Sequence, residues 1–243
     1  MFVRVRDAAG YPREGALEDG SIDLGDRLVD PSSVEWLPPC TPSKVICLAR
    51  NVAAHAAEHD SIVPSRPEYF LKPPSSIAAH GSTVRVPSAI DEVEYEAELA
   101  AVIARQASNV DREAAMSVVD GLTCMNDLSN RADQRSELNW VRGKAFDGAA
   151  PLGPGLVDPD AVPPDATIEL RVNGEARQHG SRDEYAFDLE TVIADLTRYV
   201  TLERGDVIAL GTTAGVGPLA DGDRVAIEIE GIGTLRHDVV YDG

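Results

Sequence analysis

The sequence predicts an α+β protein that is rich in β-structure and has few helices. Most apolar residues lie in short stretches that alternate with polar residues or run unbroken, as in half-buried and fully buried strands. Only three segments have helical spacing, at 51–59, 112–119 and 188–199. Strands without regular alternation between strand and helix are typical of the α+β class.

The order of the predicted elements suggests two units. Short alternating stretches over 1–42 end at the proline-rich sequence LPPCTP, and we predict a small N-terminal β subdomain there. The larger unit, 43–243, begins with a buried strand from Lys44 to Ala49 and an alanine-rich helix from Asn51 to His59. A strand from Glu94 to Ala104 alternates and then becomes wholly apolar.

The second half of the chain consists mainly of strands and turns. A hairpin is predicted around Asn173-Gly174, because this dipeptide favours a tight turn between two strands. Further strands are predicted in the sequences DVIALG, RVAIEIEGIG and TLRHDVV. The helix over 188–199 separates these strands from the hairpin.

Composition excludes several classes of protein. With 43% hydrophobic residues among 243, the chain can bury a substantial core. No apolar run approaches the roughly 18 residues of a membrane helix, and the first residues lack the apolar centre of a signal peptide, so a cytoplasmic location is expected. A net charge of −19 would repel nucleic acids and anionic membranes.

Lysine and cysteine usage is also informative. Of 22 basic residues only Lys44, Lys72 and Lys144 are lysines. An acidic, lysine-poor surface is typical of a halophilic protein, but a high-GC genome that favours arginine codons would produce the same bias, and both explanations remain open. Cys40, Cys47 and Cys124 form no Cys-x-x-Cys pair, which argues against a disulfide framework or a thiolate zinc site.

Three segments contain candidate functional residues. Glu96 and Glu98 alternate with apolar residues, so they share one face of a strand that enters the core. They would bind a cation there or, alternatively, face solvent at a strand end. Asp127 follows an apolar stretch and would complete a three-carboxylate site or cap a helix. Lys144 lies among apolar residues, either as a buried point charge or as a surface lysine.

A glycine-rich segment, VIALGTTAGVG, follows a predicted strand. It lacks the Gly-Lys-Ser/Thr of a phosphate-binding loop, and Pro218 follows it instead of a helix. Thr212 in this segment is able to offer a hydroxyl and an amide to a ligand carboxylate.

Taken together, these segments resemble the fumarylacetoacetate hydrolase family from about Lys44 to Val240. Eight stretches in the same order carry the resemblance: KVICLARN-x3-H, YFLKPPSSI, VEYEAELAAVI, GLTCMNDLSNR, NWVRGKAFDGAAPLGP, VNGEARQ, TLERGDVIALGTTAGVG and IEGIGTLRHDVV. The resemblance implies the mixed β-roll fold of that family and a homodimer.

The resemblance also implies roles for individual residues. The metal-binding carboxylates of the family match Glu96, Glu98 and Asp127, and such oxygen ligands suit Mg²⁺ or Mn²⁺. The active-site lysine matches Lys144, and the His-x-x-Glu pair of a mobile lid helix matches His55 and Glu58. Substrate-contacting positions match Arg131, Gln134 and Thr212.

The chain departs from the family pattern near these positions. The usual Gly-x-Asn-Tyr-Ala-Asp-His reads ARNVAAH over 49–55, the usual Gly-Thr-Pro reads GTT over 211–213, and the customary Ala-Arg-Asp reads NRA over 130–132. These changes leave the metal carboxylates intact and lie next to positions that the resemblance assigns to the lid and the substrate.

The implied reaction is metal-dependent hydrolysis of a C–C bond in a small 1,3-diketo or 2-oxo acid of the acylpyruvate type, through a metal-bound enolate. Decarboxylation of oxaloacetate and isomerisation of a hydroxymuconate-type diacid would use the same site. Two readings come from outside this class. HAAEH over 55–59 matches a zinc-peptidase signature, with Glu137 as a third ligand, and a non-catalytic protein that binds small acids is the other alternative.

Overall fold

Strands form most of the structure, as the sequence predicts. The computed structural model describes residues 1–242, in which the strands, in chain order, are β1 (Phe2–Arg6), β2 (Pro12–Glu18), β3 (Ser21–Asp23), β4 (Leu28–Val29), β5 (Glu35–Leu37), β6 (Val45–Ala49), β7 (Glu68–Lys72), β8 (Ile77–Ala79), β9 (Thr83–Val86), β10 (Val93–Tyr95), β11 (Ala97–Ile103), β12 (Val119–Asn126), β13 (Ala150–Val157), β14 (Thr167–Val172), β15 (Glu175–Ser181), β16 (Val207–Thr212), β17 (Gly217–Leu219), β18 (Arg224–Ile229) and β19 (Gly233–Tyr241).

The helices are few and short. The α-helices are α1 (Ala53–Glu58), α2 (Arg131–Ser136), α3 (Val141–Lys144) and α4 (Leu189–Leu196). The 3-10 helices span Pro31–Ser33, Pro74–Ser76, Arg112–Val118, Pro159–Ala161 and Arg182–Glu184. No helix within residues 1–242 is long and apolar enough to cross a membrane.

The strands form a twelve-stranded sheet, a five-stranded sheet and a two-stranded ribbon. The large sheet has the order β4-β3-β2-β1-β13-β12-β11-β16-β6-β7, with β5 paired to β1 and β8 paired to β13. The five-stranded sheet has the order β15-β14-β18-β19-β9, and the ribbon consists of β10 and β17. Both large sheets are mixed, because β6 runs parallel to β16 and β9 runs parallel to β19.

The main core lies between the two large sheets and is closed by α4. One cluster of buried side chains includes Leu99 of β11, Leu170 of β14, Ile227 of β18 and Ile193 of α4. All seven residues of β11 are buried, and this strand pairs with β12 on one side and β16 on the other. The strand that carries Glu98 is therefore paired along both edges and buried throughout.

The N-terminal strands enclose a small core of their own. Val3, Val5, Ile22 and Leu24 form a separate buried cluster. These strands also join the large sheet, because β1 pairs with β13. The division at residue 42 remains a prediction.

Local details show where the sequence patterns hold. Asn173 and Gly174 have φ values of 53° and 86°, and they form the predicted hairpin turn between β14 and β15. The predicted helix over 112–119 is a 3-10 helix, whose buried residues Ala115 and Val118 are spaced by its three-residue turn. The strand predicted from Glu94 is interrupted at Glu96.

Candidate active site

Three carboxylates meet where β10 passes into β11. Glu96 occupies the gap between these strands, Glu98 lies in β11, and Asp127 directly follows β12. Antiparallel pairing places Ala97 opposite Asn126, and the amide of Asp127 donates to the Glu96 carbonyl at 2.9 Å. One ligand oxygen from each carboxylate lies within 4.8 Å of the others.

Burial decides between the alternative readings of these carboxylates. Glu96 is 3% exposed and Glu98 1%, so the reading as a solvent face is wrong, because the strand continues into the core. Asp127 is also 1% exposed and does not cap a helix. The N-cap of α2 is Asn130, whose side chain accepts a hydrogen bond from the amide of Asp133.

Lys144 is the cation that faces the carboxylates. Its ammonium donates to Glu96 Oε2 at 2.9 Å and to Asp127 Oδ2 at 2.7 Å. Lys144 is 2% exposed, so the reading as a surface lysine is wrong, because α3 turns its side chain into the interior. Burial alone would lower the pKa of Lys144, but the carboxylates of Asp127 and Glu96 outweigh burial and raise it above its ordinary value.

The charges in the cluster are unevenly balanced. Burial would raise the pKa of Glu96, but the guanidinium of Arg131 and the ammonium of Lys144 hold it below its ordinary value. Burial and the negative charges of Asp127 and Glu96 raise the pKa of Glu98 well above its ordinary value. Three close, buried carboxylates, whose mutual repulsion raises the pKa of Glu98, form a donor set that fits a hard divalent cation.

A cavity of about 470 Å³ opens beside this cluster. Its wall includes most of the predicted site residues: His55, Glu58, Glu96, Glu98, Arg131, Gln134, Lys144 and Thr212. Asp127 belongs to the same group, because it accepts a hydrogen bond from Lys144 and has an oxygen within 4.8 Å of those of the two glutamates. The structure therefore brings together residues that are far apart in the sequence.

His55 and Glu58 form a dyad on α1. The distance from His55 Nδ1 to Glu58 Oε2 is 3.3 Å, as the spacing of three residues on one helical face allows. The other oxygen of Glu58 accepts a hydrogen bond from the amide of Gly215 at 2.8 Å. Gly215 has a φ of 100°, and a Cβ there would lie 2.5 Å from the carbonyl oxygen of Arg177. The glycine-rich segment therefore allows the close backbone approach that holds Glu58.

The zinc-peptidase reading is not supported by the geometry. Glu137 accepts hydrogen bonds from the amides of Arg142 and Gly143. Within residues 1–242, the only group of at least three His, Cys, Asp or Glu residues with close ligand atoms is Glu96, Glu98 and Asp127.

The predicted substrate-contacting residues are held by other side chains. Arg131 donates to Glu94 at 2.6 Å and to Gln134 at 2.7 Å, and it also forms an ion pair with Glu96. Thr212 Oγ1 accepts a hydrogen bond from Gln178 Nε2 at 2.8 Å. A hydroxyl that accepts in this way also has a proton that it is able to donate.

Several residues of the site were not singled out from the sequence. Phe70 and Trp140 form an apolar part of the cavity wall, with ring centroids 5.4 Å apart. Lys72 is buried next to Asp127, and the only feature of the sequence that pointed to it is that lysines are scarce in this chain. Gln178 lies in the hairpin strand β15 and ends the VNGEARQ stretch of the family resemblance, but that stretch was interpreted only as a hairpin.

A buried polar pair lies behind the carboxylates. Asn126 Oδ1 accepts a hydrogen bond from the amide of Glu96 at 2.8 Å, and Asn126 Nδ2 lies 2.9 Å from His237 Nε2. Burial lowers the pKa of His237 to about 4. The imidazole is therefore neutral at pH 7, and its Nε2 is able to accept from Asn126.

Comparison with known proteins agrees with this geometry. The model of the fumarylacetoacetate hydrolase C-terminal family matches residues 44–240. The chain belongs to the fumarylacetoacetate hydrolase family. It is therefore an enzyme of this family, and the predicted β-rich α+β fold, a mixed β-roll of the fumarylacetoacetate hydrolase type, is confirmed.

Solved structures from this family superpose over most of the chain. The 5-carboxymethyl-2-hydroxymuconate delta-isomerase of Mycobacterium smegmatis is 36% identical to this chain. The superposition has a TM-score of 0.91 and covers 100% of this chain and 99% of that one. The fumarylpyruvate hydrolase of Pseudomonas aeruginosa, solved with Mn²⁺ and pyruvate, is 31% identical, with a TM-score of 0.76 over 82% and 90% of the two chains. In sequence alone, the chain is also similar to oxaloacetate tautomerase YisK of Bacillus subtilis. The two are 35% identical over 89% of this chain and 77% of the tautomerase.

Proposed function

We propose that this fumarylacetoacetate hydrolase family enzyme hydrolyses a C–C bond in a small 2-oxo acid of the acylpyruvate type, with Mg²⁺ or Mn²⁺ as its cofactor. One observation carries the proposal. The His55–Glu58 dyad and the group formed by Lys144, Glu96 and Glu98 line the same cavity. This hydrolysis requires a base that activates water, which His55 would provide. It also requires positive charge that stabilises an enolate, which Lys144 and the bound cation would provide.

Glu96, Glu98 and Asp127 would hold the cation. Carboxylate oxygens are the ligands that Mg²⁺ and Mn²⁺ prefer, and three protein ligands leave positions for substrate oxygens. A cation held there would supply Lewis-acid polarisation of the 2-oxo acid group of the substrate. The fumarylpyruvate hydrolase of Pseudomonas aeruginosa, which was solved with Mn²⁺ and pyruvate, supports this choice.

The protein groups account for the proton transfers. His55, oriented by Glu58, accepts a proton from water, and the hydroxide attacks the distal carbonyl carbon of the substrate. The bond from that carbon to the neighbouring methylene carbon breaks, and its electron pair forms the enolate of pyruvate. Lys144 contributes positive charge beside the enolate oxygen. The proton on His55 then passes to the enolate carbon, so the products are pyruvate and a carboxylic acid.

Oxaloacetate chemistry is the second candidate. Oxaloacetate tautomerases from Xenopus laevis and Bacillus subtilis are 36% and 35% identical to this chain. Tautomerisation and decarboxylation both proceed through an enol or enolate, and neither requires an activated water. They would therefore depend on Lys144 and the carboxylates more than on a base for water.

Replacement of His55 by alanine tests the division of roles. Loss of a positioned general base costs about 10²–10⁴ in rate, so His55→Ala should reduce acylpyruvate hydrolysis by that factor and spare more of any oxaloacetate decarboxylation. Lys144→Ala should reduce both rates. Both reactions are measured with Mg²⁺ on the same preparation. The matched control is His179→Ala, which removes an exposed imidazole that does not lie on the cavity wall.

The result that contradicts this assignment is an equal loss of both reactions in His55→Ala. That result would mean that α1 acts by excluding water from the cavity, and the role of His55 as the base would be wrong. Activity on oxaloacetate but on no acylpyruvate in the wild-type enzyme would favour the second candidate.

A further inference from the structure

Lys72 is a deeply buried charged side chain next to the site. It is the last residue of β7, is 1% exposed, and its Nζ lies 2.6 Å from Asp127 Oδ1. The same ammonium donates to the carbonyls of Ala149 at 2.9 Å and Leu128 at 3.3 Å, and also to the carbonyl of Lys144. Its three N–H groups are thus used by backbone carbonyls, and its contact with Asp127 is an ion pair.

Packing alone does not account for a lysine at this position. Removal of an ammonium from water carries a large cost, and replacement of both members of a buried ion pair by apolar side chains of similar size often causes no loss of stability. Lys72 must therefore contribute something that Met or Leu would not provide. Its contacts identify the contribution, since they join the Asp127 carboxylate to the backbone of Lys144.

Lys72 and Lys144 contact different oxygens of the Asp127 carboxylate. Lys72 contacts Oδ1, whereas Lys144 contacts Oδ2 together with Glu96 Oε2. The position of Asp127 is thus determined by Lys72 on one oxygen. Lys72 also fixes the end of α3, because it donates a hydrogen bond to the backbone carbonyl of Lys144. The side chain of Lys144 extends from this point into the site.

We propose that Lys72 is a positioning residue that holds the cation-binding carboxylate Asp127 and the backbone of Lys144 in one fixed arrangement. This inference rests on the proposed function, in which Asp127 holds the metal and Lys144 stabilises the enolate. Residues that orient metal ligands from behind typically contribute about 10–100-fold in metal affinity or activity. Lys72 does not need to touch the substrate for this effect.

The test replaces Lys72 by methionine, which keeps the length of the side chain and removes its charge. Binding of Mn²⁺ is measured by electron paramagnetic resonance of the free ion, and kcat and KM are measured separately with an acylpyruvate. We expect the Kd for Mn²⁺ to rise and kcat to fall, each by about 10–100-fold, with a smaller change in KM. The melting temperature reports whether the variant is folded.

Lys44→Met is the matched control. Lys44 also forms an ion pair with a buried carboxylate, that of Asp206, but neither residue lies on the wall of the cavity. This control should alter the melting temperature without altering Mn²⁺ affinity. Lys72→Gln, which keeps a hydrogen-bond donor, is measured in the same way if Lys72→Met does not fold.

Two results would overturn the role of Lys72. One is wild-type Mn²⁺ affinity and kcat in a folded Lys72→Met enzyme. The other is loss of the folded state in both Lys72 variants, since the lysine would then be structural. A wild-type enzyme that binds Mn²⁺ but hydrolyses no acylpyruvate would refute the proposed reaction instead, and the Mn²⁺ affinity of Lys72→Met would still decide the positioning role.

Discussion

Acid should destabilise the folded protein through His237, the buried histidine of β19. Burial lowers the pKa of His237 to about 4 from an ordinary value of 6.5. The unfolded chain therefore binds a proton on this residue near pH 6.5, whereas the folded chain does so only near pH 4. Between these values the unfolded state holds more protons, so stability present above pH 6.5 is lost as the pH falls.

The size of the effect follows from the difference between the two pKa values. One pH unit corresponds to about 1.4 kcal/mol, so the free energy of unfolding should fall by about 3 kcal/mol on account of His237 between pH 7 and pH 4. Protonation would also make Nε2 a donor, which conflicts with the donor Nδ2 of Asn126 at 2.9 Å. Since Asn126 also binds the amide of Glu96, acid should loosen the carboxylate cluster.

Urea denaturation at several pH values between 4 and 7, with EDTA present, measures this contribution. In His237→Gln, an amide oxygen replaces the accepting nitrogen and cannot be protonated in this range. The wild type should lose about 3 kcal/mol more than this variant between pH 7 and pH 4. His179→Gln, which removes an exposed imidazole, is the control and should follow the wild type. Parallel curves for wild type and His237→Gln would refute the reasoning.

Other predictions concern the metal, the site and the surface. EDTA should abolish activity and Mg²⁺ or Mn²⁺ should restore it, whereas full activity in EDTA would exclude a metal role for the carboxylates. Glu98→Gln should weaken Mn²⁺ binding strongly, as measured by titration, with the fold intact by circular dichroism. The melting temperature should rise between low salt and molar KCl, where the Debye length is about 3 Å, and a flat response would favour codon bias over halophily as the cause of the missing lysines. Light scattering should show the homodimer that the family resemblance implies.

The periodicity of the sequence was sufficient to predict part of the fold, but strands such as β7, β12 and β13 and the helices α2 and α3 were not predicted. Alternation and apolar runs predicted β6, β11 and the hairpin at Asn173-Gly174, because each depends on residues that are adjacent in the chain. The 3-10 geometry over 112–118 was not predicted, since a segment this short fits either helix type until its packing is known. The break at Glu96 was also missed, because it arises from a change of pairing partner from β17 to β12 and β16.

The candidate site was predictable only in part, for a related reason. Glu96 and Glu98 share a local pattern, but each alone allowed an exposed alternative, and burial by distant strands decided between them. The contacts of Lys72 with Asp127 and of Gln178 with Thr212 join segments that are 55 and 34 residues apart. Contacts between residues this far apart in the chain cannot be predicted from the periodicity of a short segment.

The position of β11 between two neighbouring strands determines where the chain tolerates changes in length. Because β11 is paired along both edges and buried throughout, an added or deleted residue near Glu98 would exchange its inward and outward faces and cannot be absorbed by a loop. The hairpin tip at Gly174, where a Cβ would meet no neighbouring atom within 4 Å, has no such constraint. Variation in length on this scaffold should therefore collect at exposed turns, whereas the distance between the two glutamates along the chain stays constant.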